Sequence, residues 1–99
     1  MLTINITIEN GKAIIKPEGR LDTTTAPELE SVIKEILPGL GVLTLDFEKI
    51  KYIASAGLRV LLSAQKAMNK QGKMTVTNVN ETIMEIFEVT GFSEILNIE

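Results

Sequence analysis

The 99 residues, 44% hydrophobic and 23% charged, suffice for one domain with a single continuous core and exclude a disordered or fibrous chain. Cysteine and histidine are both absent, which sets aside disulfides, thiolate chemistry and the usual transition-metal ligands, and no cofactor is expected. The net charge of −3 with dispersed basic residues argues against a nucleic-acid partner, and no apolar run approaches the roughly 20 residues of a membrane span. The start carries no signal-peptide pattern, so no membrane insertion and a cytoplasmic location are expected.

Leu2, Ile4, Ile6 and Ile8 alternate with Thr3, Asn5, Thr7 and Glu9, the period of a strand with one buried face. Asn10-Gly11 suits a two-residue type I′ turn, whose central residues both need positive φ, so Ala13 to Lys16 is predicted to return antiparallel. Gly19-Arg20-Leu21-Asp22 reads as a turn. Thr25 then stands as a helix cap with Glu28 three residues on, the spacing of a capping box, and Pro27 fits the first turn. Leu29, Val32, Ile33, Ile36 and Leu37 fall on one helical face that ends before Pro38-Gly39.

Val42 to Phe47 is the next predicted strand, with Asp46 near its end; reached through a helix, it is expected to be parallel to its predecessor and central. Ile50 to Ala54 leads into a second helix, Gly57 to Gln71, with Leu58, Leu61, Leu62, Gln65 and Met68 inward and Gly72 as its stop. Met74 to Val79 is a strand, Asn80 caps a third helix carrying Ile83, Ile86 and Phe87, and Gly91 ends it. Phe92, Ile95 and Leu96 form a short tail expected to dock on the core. The order β-β-α-β-α-β-α predicts an α/β domain: an N-terminal antiparallel hairpin joined to a small, mostly parallel sheet with helices packed against it.

The segment Tyr52-Ile53-Ala54-Ser55-Ala56-Gly57-Leu58-Arg59 places a single aliphatic hydroxyl among small residues where an apolar stretch gives way to a helix. Ser55 there can act as an N-cap or as a site open to a modifying enzyme; Asp22 can be a turn residue, Asp46 a strand-end polar group and Arg59 an exposed helix residue. Catalysis by this chain is not expected. A hydrolase nucleophile elbow needs glycine two residues before the serine, where Ile53 stands, and a base usually supplied by histidine. Gly39-Leu40-Gly41 lacks the lysine and hydroxyl of a Walker loop.

The hairpin, Gly19-Arg20-Leu21-Asp22, Leu43-Thr44-Leu45-Asp46-Phe47, Ser55-Ala56-Gly57-Leu58 and Thr90-Gly91-Phe92, in this order over essentially the whole chain, resemble the STAS family and, within it, bacterial anti-sigma factor antagonists. The resemblance implies one STAS domain over residues 1–99 that, unmodified, binds an anti-sigma factor and releases a sigma factor. That partner is also an ATP-dependent serine kinase, which switches binding off by phosphorylating Ser55; a metal-dependent serine phosphatase reverses the step. Asp22, Thr23, Thr24, Ala54, Ala56, Gly57, Leu58 and Arg59 are the partner-binding residues so implied. Ala54 stands where the family commonly has aspartate and Ala56 where it has a second hydroxyl, which leaves Ser55 as the motif's one acceptor. With few residues after Phe92, the C-terminal helix of many relatives is expected to be short or missing. STAS domains also serve as parts of anion transporters and as subunits of lipid-transport ABC complexes, so a transporter adaptor is the alternative expectation.

Overall fold

A computed structural model describes residues 2–99. In chain order it contains β1 (Thr3–Glu9), β2 (Lys12–Leu21), α1 (Ala26–Ile36), β3 (Val42–Asp46), β4 (Ile50–Ile53), α2 (Ser55–Asn69), β5 (Lys73–Thr77), α3 (Glu81–Thr90) and α4 (Phe92–Ile95). Asn10 and Gly11 take φ of 51° and 76°, as a type I′ turn requires, and β1 pairs antiparallel with β2 from Glu9↔Lys12 to Thr3↔Glu18. β2 pairs in parallel with β3 through its first half and with β4 through its second, and β3 pairs in parallel with β5. The main path is therefore β1-β2-β3-β5, with β3 interior as expected.

Along the first six residues of β2, burial alternates: Ala13, Ile15 and Pro17 are buried, whereas Lys12, Ile14 and Lys16 are exposed. One face of the strand thus looks into the core and the other into solvent. Leu29 and Ile33 of α1, Leu61 and Met68 of α2, and Ile83 and Phe87 of α3 close over Ile15, Leu43, Leu45 and Val76 of the sheet. Phe47 and Phe87 are the largest fully buried side chains, and each such aromatic or aliphatic burial contributes about 1.5–3 kcal/mol.

Several expectations are corrected. The stretch Gly19 to Leu21 is the end of β2, with a register shift between Gly19 and Arg20, and Ile50 to Ile53 is a strand, because the shifted half of β2 finds its parallel partner there. Thr25 does not cap α1 with its side chain: its hydroxyl donates to the Arg20 carbonyl (2.6 Å) and accepts from the Asp22 N–H (2.9 Å), so the capping box is not formed. β5 stops at Thr77. Ile6 and Ile8, expected on a buried face, are 42% and 54% exposed, because β1 lies at the sheet's edge beyond the helices' reach. In the tail Leu96 is buried and Ile95 exposed; Val76 and Ile98 form a parallel bridge along the free side of β5.

Candidate functional site at the start of helix α2

Two chain segments leave the sheet side by side. Leu21 and Ile53 are register partners at the ends of β2 and β4, and the Ala54 N–H donates to the Leu21 carbonyl (2.8 Å). The segments that follow, Asp22 to Thr25 and Ala54 to Gly57, therefore begin about one strand spacing apart, roughly 4.8 Å. Carboxyl ends of parallel strands are where α/β folds place their binding residues.

In the first segment the Asp22 carboxylate accepts from the N–H groups of Thr24 (3.0 Å) and Thr25 (3.1 Å), while its carbonyl accepts from Ala26 (2.8 Å). The Thr25 hydroxyl also lies 3.2 Å from the same carboxylate oxygen. The Asp22 carboxylate thus orders the turn that leads into α1, and no side chain caps the helix itself. The Thr25 N–H holds the Asp22 carboxyl below its ordinary value; bonds from the Thr24 N–H and Thr25 hydroxyl and the Arg20 charge add to this, and partial desolvation opposes it. Thr23 and Thr24 are exposed.

In the second segment Ala54 is the N-cap residue of α2, extended at φ −105° and ψ 177°, and Ser55 is the first helical residue. The Ala54 carbonyl accepts from the N–H groups of Gly57 (2.9 Å) and Leu58 (3.1 Å). No side chain caps the helix, so the orphan N–H groups of its first turn have no such partner. Ser55 is exposed, with Ala54 and Ala56 half-buried on either side. Arg59 is also exposed and lies four residues on, in the second turn rather than the first, on the same helix face as Ser55.

Gly57 and Leu58 belong to the core, which corrects their expected place on the binding surface. Leu58 is 8% exposed. A Cβ on Gly57 would stand 2.7 Å from Ile53 Cγ1 and 2.9 Å from Leu21 Cγ, so the missing side chain lets α2 start flush against β2 and β4. The surface of the site is built from Asp22, Thr23, Thr24, Ala54, Ser55, Ala56 and Arg59.

Sequence reasoning passed over Arg20 and Tyr52. They are register partners, and the Arg20 guanidinium sits 4.9 Å from the centre of the Tyr52 ring, a cation–π contact beside the Asp22 loop. The signal was the alternation of Tyr52 with buried Ile53, legible only once Ile50–Ile53 is known to be a strand. Asp46 is engaged elsewhere. It accepts from the Glu48 N–H (3.0 Å) and the Asn78 amide (3.0 Å) and faces Lys16 at 4.0 Å. Burial pushes its carboxyl up, but those hydrogen bonds and Lys16 outweigh it and leave the group below its ordinary value. Among the described residues no cluster of acidic side chains is placed to hold a metal ion, and no helix is long and apolar enough to cross a membrane.

Comparison with known proteins places this geometry in context. The chain resembles the anti-sigma-B factor antagonist of Staphylococcus aureus (strain NCTC 8325 / PS 47), at 29% identity across 98% of this chain and 92% of that protein. Its fold matches the crystal structure of an anti-sigma factor antagonist from Mycobacterium paratuberculosis with a TM-score of 0.89, at 20% identity over 99% of this chain and 85% of that one. It also matches the Bacillus cell fate determinant SpoIIAA in its phosphorylated form with a TM-score of 0.76, at 15% identity over 98% and 91%. The STAS domain model matches residues 3–99, and the chain belongs to the STAS domain family.

Proposed function

We propose that this chain is an anti-sigma factor antagonist that works as a phosphorylation switch in the cytoplasm. Unphosphorylated, it binds an anti-sigma factor and frees a sigma factor. The anti-sigma factor, an ATP-dependent serine kinase, ends the complex by phosphorylating Ser55, and a metal-dependent serine phosphatase restores the binding form. The observation that carries this reading is an exposed serine as first residue of a helix whose N-terminus no side chain caps, beside the ordered Asp22 loop. The names of the S. aureus relative and of the phosphorylated Bacillus neighbour support it.

The physics of the switch follows from the local geometry. A phosphate on Ser55 adds about −1.5 to −2 charges and three acceptor oxygens. At the α2 start these meet orphan N–H groups and the positive end of the helix dipole, and Arg59 stands four residues on with its opposite charge. The fold accommodates the group without rearrangement. The effect falls on the partner: a dianion now stands between Ala54 and Ala56, where a closely packed interface would have to desolvate it. Modification occludes binding and leaves the fold as it is.

The test is intact-mass and peptide mapping after incubation with ATP and the kinase-type anti-sigma factor of the same genome, with Ser55→Ala as control. A single phosphate on Ser55, absent from the control and abolishing the complex, is expected. Stable binding to a transporter ATPase with no phosphate on any residue would replace this reading with that of a transporter adaptor.

A further inference from the structure

We propose that the free edge of β1 is a self-association surface through which two copies of this chain pair antiparallel about a two-fold axis at Ile6. Three independent features of the strand converge on it.

The first is the backbone. In a two-residue hairpin the turn bond joins the Glu9 carbonyl to the Lys12 N–H, so Glu9↔Lys12 is a hydrogen-bonded pair. Such pairs alternate along an antiparallel ladder, and the register is unbroken to Thr3↔Glu18. Glu9, Thr7, Asn5 and Thr3 therefore spend their N–H and C=O groups on β2, and Ile8, Ile6 and Ile4 direct theirs outward.

The second is the side chains. The same three isoleucines share one face of the strand, and Ile6 and Ile8 are 42% and 54% exposed. None of the usual guards of a sheet edge is present: the seven residues of β1 include no lysine, arginine, proline or glycine and no bulge.

The third is the symmetry of the sequence. Around Ile6 the strand is nearly palindromic, so a two-fold pairing sets Ile6 on Ile6, Ile4 on Ile8, Asn5 on Thr7 and Thr3 on Glu9. Apolar groups meet apolar groups on one face and polar groups meet polar groups on the other. The strand's single charge, Glu9, faces a threonine, whereas parallel pairing would set Glu9 on Glu9. Each isoleucine position also closes a pair of backbone hydrogen bonds in this register, so the open groups and the apolar face are covered together.

A two-fold contact uses the same edge on both copies and closes at the dimer. The other end of the β1-β2-β3-β5 path is covered by the chain's own tail, where Val76 bonds Asn97 (2.9 Å) and Glu99 (2.9 Å). The surface of the Ser55 site contains no residue of β1, so pairing leaves that site open on each copy.

The expected dimer is weak. One strand pair buries less than the roughly 1,200 Å² of a stable interface, so a weak, concentration-dependent dimer is expected. Sedimentation velocity from about 10 μM to about 1 mM should show a monomer–dimer equilibrium that Ile6→Lys weakens at least ~10-fold, because lysine guards an edge without entering the core. The register has its own test. The chain has no cysteine, so Ile6→Cys introduces one thiol per copy. Across the axis its Cα atoms stand about 5.5 Å apart, within disulfide reach, whereas those of Ile8→Cys are separated by about 14 Å. Oxidation should cross-link the first variant and spare the second. A monomer throughout the concentration range, a dimer indifferent to Ile6→Lys, equal cross-linking of the two variants, or open-ended oligomers would each overturn the proposal.

Discussion

The starts of α2 and α3 differ in a way that separates a helix end built for stability from one left open. At α3 the Asn80 side chain accepts from the Ile83 N–H (2.8 Å) while its amide donates to the Ile50 carbonyl (3.1 Å), fixing the cap to β4. Ile83, the third residue of that helix, is fully buried. At α2 the cap position holds Ala54, the first residue is the exposed Ser55, and the third is Gly57. An alanine cap forgoes about 1 kcal/mol relative to Asn, Asp or Ser. Gly57 packs α2 closely onto Ile53 and Leu21, so the open end is not a sign of a loose helix. It is a rigid platform with unfilled hydrogen-bonding capacity at its exposed tip.

The comparison breaks most visibly at the third helical position. Copying α3 into α2 by Gly57→Ile places a Cβ within 3 Å of Ile53 and Leu21 side chains that are themselves at most 1% exposed and cannot swing away. Overpacking of this kind costs about 3 kcal/mol. That is a large share of the roughly 5–15 kcal/mol that holds a domain folded. Urea denaturation should show the loss as a lower midpoint, and an unchanged midpoint would mean that α2 does not sit flush on β2 and β4.

Exchanging the caps gives a smaller, paired effect. Asn80→Ala should lower stability by about 1 kcal/mol, and Ala54→Asp should raise it by a similar amount, because the new carboxylate meets N–H groups that no side chain now serves. Thermal unfolding of the two variants against the parent reads both signs. If Ala54→Asp brought no gain, the α2 terminus would already be satisfied and the contrast would be lost.

These positions also show which parts of the molecule could be read in advance. The Asn10-Gly11 turn, the Asn80 cap and the Gly91 stop, at φ 83°, were legible because each is a local demand that few residue types meet. β4 was not, since its buried, exposed, exposed, buried pattern has no strand alternation and its pairing depends on a register shift in distant β2. Thr25 stands at the N-cap of α1 as the spacing indicated, but spacing cannot foresee that its hydroxyl is spent on the Arg20 carbonyl and the Asp22 N–H instead of on the helix. Gly57 and Leu58 looked like neighbours of Ser55 on one surface. The helical stripe already set Leu58 inward, and the start of α2 at Ser55 turns Gly57 inward beside it.

Phosphorylated Ser55 sharpens the contrast further, since the modification supplies the anion that α2 lacks. The stability change is expected to be a gain of about 0.3–1 kcal/mol, screened by salt. Arg59→Ala should remove part of it, because an i,i+4 ion pair on a helix contributes about 0.2–0.5 kcal/mol. Urea titration of the phosphorylated form at low and high salt checks both; a destabilised phosphoprotein would contradict a phosphate seated on the helix end.

The smallest effect concerns the turn that leads into α1, where the acceptor is a charge. Asp22 has a folded pKa below its ordinary 3.8, held there first by the Thr25 N–H. Its contribution to stability is therefore fully present above the unfolded value and is lost as pH falls through the lower folded value. Asp46 is depressed in the same direction and shares the window, so the parent's acid sensitivity below about pH 4 is a sum of the two. Asp22→Asn keeps an acceptor oxygen for the Thr24 and Thr25 N–H groups and removes only the ionisation. Denaturation midpoints of parent and variant should differ most near neutral pH and converge as the pH drops past the carboxylate range. A difference that did not change with pH would assign the role of Asp22 to the shape of its hydrogen bonds alone.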